Sequence, residues 1–322
     1  MQIPSAVNSE IISKKLLEHW GGYINLWKPF QSFFLSGLYK KYHCLDSGQL
    51  VLFFAKKTHQ SILRKKDYNL NFDLSFEKFW ENHSEAKNTP STIIAIAEES
   101  NMPKETARRK LSELMKQKVL ARKHNHISWQ PSEEYKKSYN ILIAQEIEKL
   151  AELTKFVTDK MNLNFSTDEI ITEFKKNFCF YWFHYLNLQL EWMKLWKSKV
   201  KDLEIVHIII EIVSVLTSKN KENFSIEDFY NNSNTIFRFE NMNISATTIA
   251  DITGIPRSTC MRKLNQIAKQ KMIKQDQNTN KYIISTEILE KNFSKDFINK
   301  SIEIYSKFYF IYIQALSFKI SK

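Results

Sequence analysis

An internal repeat constrains this chain more than any other feature, because two similar segments at a fixed separation imply one folding unit built twice. Residues 96–122, IAEESNMPKETARRKLSELMKQKVLAR, align without a gap on 249–275, IADITGIPRSTCMRKLNQIAKQKMIKQ, at a constant offset of 153, and ten of the 27 positions are identical. Upstream, LSFEKFWEN at 74–82 matches FSIEDFYNN at 224–232 at an offset of 150, and SEIIS at 9–13 resembles DEIIT at 168–172. The 322 residues therefore read as two copies, 1–162 and 163–322.

Each copy is expected to be mainly α-helical. Five glycines and six prolines fall far below the average usage of ~7% and ~5%, which disfavours many-turned all-β folds. Apolar spacing predicts a long helix (10–42, 168–200), a buried helix (47–64, 203–218) and a short helix (75–82, 225–232) with Ser75 or Ser225 as N-cap. Two helices around a tight turn follow, then a hairpin, then a long closing helix (132–160, 286–320). The apolar stretches are too short or too interrupted by charge for a membrane span. No apolar leader follows a basic start, and the distant Cys44, Cys179 and Cys260 form neither a disulfide framework nor a CxxC metal site. A reducing cytoplasm is the expected location, without a cofactor or metal.

The repeated block carries the chemistry. In copy one a short helix over 92–99 ends at Asn101-Met102-Pro103, and a second helix runs from Pro103 to about Lys118. Helical spacing turns Ala107, Leu111 and Leu114 inward, and leaves Lys104, Glu105, Arg108, Arg109 and Ser112 outward with Thr106 at the flank. In copy two Cys260, Leu264 and Ile267 face inward, and Arg257, Ser258, Met261, Arg262 and Asn265 outward. A DNA major groove admits one α-helix, whose first turns reach base edges. There arginine donates two bonds to guanine, glutamate accepts from cytosine, and threonine is short enough to hold phosphate. A hairpin follows each second helix: VLARK and HISWQ in copy one, MIKQDQNTNKYIIS in copy two.

Charge placement agrees. Lysine and arginine number 47 against 35 aspartates and glutamates, a net of +12. Residues 103–123 hold eight basic and two acidic side chains, and 256–274 hold six basic and none acidic, so the two windows account for the whole surplus. A codon bias toward lysine would spread that excess, whereas binding to phosphates concentrates it.

These segments resemble the winged helix-turn-helix of bacterial transcription regulators of the MarR and Crp-Fnr kinds, over about forty residues in each copy (helix-turn-helix 92–118 and 246–271, wings 119–130 and 272–285). The Crp-like run S-R-E-T-V-x-R falls on Lys104, Glu105, Thr106 and Arg109, and in copy two on Arg257, Thr259 and Arg262, with Ser258 in place of the glutamate. The resemblance implies two tandem winged helix-turn-helix units with long flanking helices, acting on double-stranded DNA as a covalent pseudo-dimer. The DNA-binding set is Lys104, Glu105, Thr106, Arg108, Arg109 and Lys110 with Arg257, Ser258, Thr259, Arg262 and Lys263; the wings add Arg122, Lys123, His124, Lys274, Asn278 and Lys281. The alternatives are a plasmid-type replication or partition initiator with tandem winged helices, and a winged-helix scaffold for protein contacts. No Walker A, GxGxxG, HExxH or GxSxG pattern occurs, so an enzyme is not expected. The closing helix 286–320 is expected to pair within the chain or with a second chain.

Overall fold

The computed structural model describes residues 7–85, 91–217, 224–231, 243–276, 279–283 and 294–320. It is mainly helical, with two small antiparallel hairpins. The first half comprises α1 (Ser9–Glu18), α2 (Trp20–Tyr42), α3 (Leu45–Tyr68), α4 (Phe79–Glu85), α5 (Ile93–Glu99), α6 (Lys104–Lys116), β1 (Leu120–Lys123), β2 (His126–Trp129) and α7 (Glu133–Lys160). The second repeats the order: α8 (Thr167–Lys176), α9 (Phe178–Val200), α10 (Leu203–Thr217), α11 (Ile226–Asn231), α12 (Ala246–Thr253), α13 (Arg257–Lys269), β3 (Lys274–Gln275), β4 (Tyr282–Ile283) and α14 (Lys295–Ile320).

The correspondence extends to single residues. Helices α1 and α8 each have 10 residues, α2 and α9 each have 23, and α6 and α13 each have 13. Asn8 and Ser166 cap α1 and α8 with their side chains, satisfying an amide that the first turn leaves without a partner. His43 and Lys201 close α2 and α9 in the left-handed region. Ile12 and Ile170 are both fully buried, which aligns SEIIS on 167–171 and shifts the expected match to DEIIT by one residue.

Each expected long first helix is instead two helices, broken at His19 and at Asn177. The reason is a bond diverted to the other half. Just past each break, Gly21 N–H donates to the Phe224 carbonyl (2.8 Å) and Cys179 N–H to the Leu74 carbonyl (3.0 Å), in place of the carbonyl four residues back. The two acceptors themselves stand at equivalent positions of the 74–82 and 224–232 match.

Reciprocity of this kind runs through the core. Helix α3 packs on α9 as α10 packs on α2, and α1 packs on α14 as α8 packs on α7. At the centre Gln31 and Gln189, 158 residues apart like the helices that carry them, exchange amide hydrogen bonds of 2.9 and 3.1 Å with both side chains fully buried. A residue meeting its own counterpart marks a twofold contact. One continuous apolar core, rich in aromatic rings such as Trp27, Phe34, Tyr181, Trp182 and Tyr309, crosses between the halves.

The short helices differ more. Ser225 accepts the Asp228 amide and caps α11, as its position predicts. Ser75 does not cap a helix; its N–H donates to Asp73 Oδ1 in a turn, and α4 starts only at Phe79. Helix α14 is described from Lys295, so residues 286–293 of the expected closing helix lie outside the described residues.

Candidate nucleic-acid interface

The repeated block folds the same way in both halves. Thr92 and Ser245 cap α5 and α12 by accepting the amides of Ala95 and Thr248. Near the ends of these helices Ser100 and Thr253 donate back to the carbonyls of Ile96 and Ile249. Asn101 (φ 51°) and Gly254 (φ 73°) then turn the chain through the left-handed region, at equivalent positions. Pro103 and Pro256 have extended ψ values of 136° and 137°, so each stands just before its helix as the cap and not inside its first turn.

Helices α6 and α13 bury the expected apolar faces: Ala107, Leu111 and Leu114 in one, Cys260, Leu264 and Ile267 in the other. Their outer faces are open. Lys104, Glu105, Arg108 and Arg109 are exposed, as are Arg257, Ser258, Met261 and Arg262, with Thr106 and Thr259 half-buried at the flank. On α6 two carboxylates hold the arginines along the helix: Arg108 to Glu105 at 2.8 Å and Arg109 to Glu113 at 3.2 Å, with both arginine side chains 66% exposed. On α13 Arg257 Nε donates to Thr247 Oγ1 at 3.0 Å. Among the described residues no carboxylate lies within ion-pair distance of Arg257 or Arg262.

Two of the sequence-assigned residues do not belong to this face. Lys110 and Lys263 are only 6% and 4% exposed and point into the protein. Each stands beside the inward leucine, Leu111 or Leu264, so helical geometry turns it to the edge of the buried face. Lys263 Nζ donates to Asp202 Oδ2 and, at 3.0 Å, to Glu204 Oε2 at the start of α10. Burial pushes the Asp202 carboxyl up, but the hydrogen bond and charge of Lys263 outweigh it and hold the carboxyl below its ordinary range. Glu204 also accepts the Leu45 amide at 3.1 Å, which ties α13 to the first turn of α3 in the other half. At the equivalent place in the first half Lys110 Nζ donates to Cys44 Sγ. These lysines anchor the helices to the core; removing them from the eight and six basic residues of the two windows leaves seven and five exposed cations. Helical spacing already sets both lysines on the inward stripe, three residues after Ala107 or Cys260 and four before Leu114 or Ile267; what the repeated block does not carry is their partners, since Asp202 and Glu204 lie about sixty residues upstream of Lys263.

The hairpins extend the surface. Strands β1 and β2 pair Leu120 with Trp129 and Lys123 with His126; β3 and β4 pair Lys274 with Ile283. The segment before each short helix joins its hairpin, through the bridges Ser91 to Ile127 and Ile244 to Tyr282. Arg122, Lys123 and His124 are exposed, with Arg122 Nε donating to the His124 carbonyl at 2.9 Å and His124 in the left-handed region at the tip. Lys274 and Lys281 are exposed. Asn278 lies outside the described residues.

Comparisons with protein-family models, with curated proteins and with solved structures find no match to this chain. Among the described residues no helix is long and apolar enough to cross a membrane, and no cluster of three His, Cys, Asp or Glu stands ready to hold a metal.

Proposed function

We propose that the two helix-turn-helix-hairpin units are winged helices and that the protein is a sequence-specific double-stranded DNA-binding transcription regulator, a covalent pseudo-dimer whose α6 and α13 enter major grooves. The observation that carries this reading is the pairing of two exposed cationic helix faces, at equivalent places of the repeat, on one core whose halves exchange contacts reciprocally. Homodimeric regulators present two recognition helices to one duplex about 34 Å apart; here one chain supplies both.

The energetics favour release of the arginines to a ligand. A surface pair such as Arg108 with Glu105, 66% and 72% exposed, is worth about 0–1 kcal/mol. A bidentate contact to guanine is worth about 1–3 kcal/mol. Both wings add cations beside the helices, where phosphates would flank the groove.

Binding of a duplex library over a salt series tests the proposal. If about half of the twelve exposed cations of the two windows meet phosphates, log K falls with log salt with a slope of about −5. A flat salt response, or no retention on duplex, refutes it and favours a scaffold for protein contacts.

A further inference from the structure

The two helix faces are built alike but not armed alike. One turn into α6, Glu105 and Arg108 stand three residues apart and pair at 2.8 Å. At the same two positions of α13 stand Ser258 and Met261, both exposed, and Met261 is the one large apolar side chain of α13 that the described structure leaves 38% open. It lies between Arg257 and Arg262, on a face whose window holds no acidic residue. A methionine on a helix face is ordinarily turned to the core, as Leu264 and Ile267 are here. The 13-residue helix needs no further apolar contact: its inward face is closed by Cys260, Leu264, Ile267 and the buried Lys263.

Resting on the DNA-binding reading, we infer that the two halves read different base pairs at this position: Glu105 with Arg108 reads a G·C pair, and Met261 reads thymine through its C5-methyl group. The chemistry of the groove separates the two. Guanine offers two acceptors for an arginine and cytosine a donor for a glutamate, so the paired side chains of α6 match both members of one G·C pair. Thymine alone offers an apolar group in the major groove, and the thioether of methionine is a soft, adaptable contact for it. Arg257 and Arg262 supply the cationic surround that holds the adjoining phosphates, so the apolar contact needs no charge of its own. A bound site is therefore two unlike halves, one carrying an essential G·C pair and the other an essential thymine.

The test starts from duplexes selected from a random pool by the full chain. Each thymine of the selected site is replaced in turn by uracil, which removes only the C5-methyl, and binding is measured for the native protein, Met261→Ala and Arg108→Ala. For the native protein one uracil, confined to one half of the site, is expected to weaken binding about three- to fivefold, the worth of one buried methyl. Met261→Ala loses that sensitivity and keeps the rest of the footprint. Arg108→Ala keeps the uracil effect and relaxes a G·C pair in the opposite half, by about tenfold. Specific binding with no uracil effect at any thymine, or a uracil effect that survives Met261→Ala, overturns the inference while leaving the DNA-binding reading intact. Failure to select any duplex refutes that reading, and this one with it.

Discussion

The Gln31 and Gln189 pair gives the sharpest test of the reciprocal core. Both amides are fully buried, and each donates to the other, at 2.9 and 3.1 Å. Gln189 Nε2 has a second contact, to the Tyr185 hydroxyl at 3.2 Å, whereas Gln31 has no other hydrogen bond among the described residues. Replacing one glutamine by leucine strands the other amide without water, at about 1–3 kcal/mol. Gln189→Leu leaves Gln31 with nothing and is expected to cost about 2–3 kcal/mol; Gln31→Leu leaves Gln189 its tyrosine and costs about 1–2 kcal/mol. The double variant replaces both polar groups by apolar ones of similar shape and costs no more than the milder single change. The two single costs together therefore exceed the double by at least the harsher of them, a coupling of about 2 kcal/mol or more. Urea unfolding of the full chain, followed by tryptophan fluorescence, gives the four stabilities at a common slope. Strict additivity of the two single costs would refute a core in which these residues meet.

Further outcomes concern the anchors and pH. Asp202 caps α10, its Oδ1 accepting the amides of Glu204 and Ile205, while Cys44 at the equivalent start of α3 makes no side-chain cap. Cys44→Asp would add that cap and give Lys110 a carboxylate, raising stability by about 1–2 kcal/mol in urea titration; a loss of stability would contradict the equivalence. Lys263→Met leaves Asp202 and Glu204 half-buried without their cation, and a loss of about 2 kcal/mol is expected; the wild-type advantage, present above the unfolded carboxylate range, disappears as pH falls through the lowered Asp202 value. His59 is fully buried against Phe79 and Phe178, and burial together with the charge of His83 pushes its pKa down to about 3. The unfolded chain takes up that proton near pH 6.5, so stability falls as pH drops below 6.5, and His59→Phe should flatten this arm of the pH profile. An unchanged profile would place His59 in contact with solvent.

Much of the candidate interface was legible because helical period alone decides which side chains of α6 and α13 face out: Arg109 and Arg262, Glu105 and Ser258 stand where spacing puts them. Lys110 and Lys263 fall on the inward stripe by the same period, three residues after Ala107 or Cys260, and only their charge argued for the outer face; the groups that make burial of that charge possible, Cys44 or Asp202 and Glu204, belong to a distant helix start. The breaks at His19 and Asn177 depend on distant groups in the same way: Gly21-Gly22 weakens the helix locally after His19, but no such pair follows Asn177, and each break is fixed by a carbonyl from the other half. Repetition in the sequence announced two like units, but which helix of one packs on which helix of the other is set by faces such as those of Gln31 and Gln189, where only one position in four or so carries the contact.

Footprinting of a selected duplex with the native chain, Arg109→Ala and Arg262→Ala shows whether each half of the chain holds its own half-site. Two protected patches about one helical turn apart are expected, one lost in Arg109→Ala and the other in Arg262→Ala. A single patch, or the same loss in both variants, would contradict the assignment of one half-site to each half of the chain.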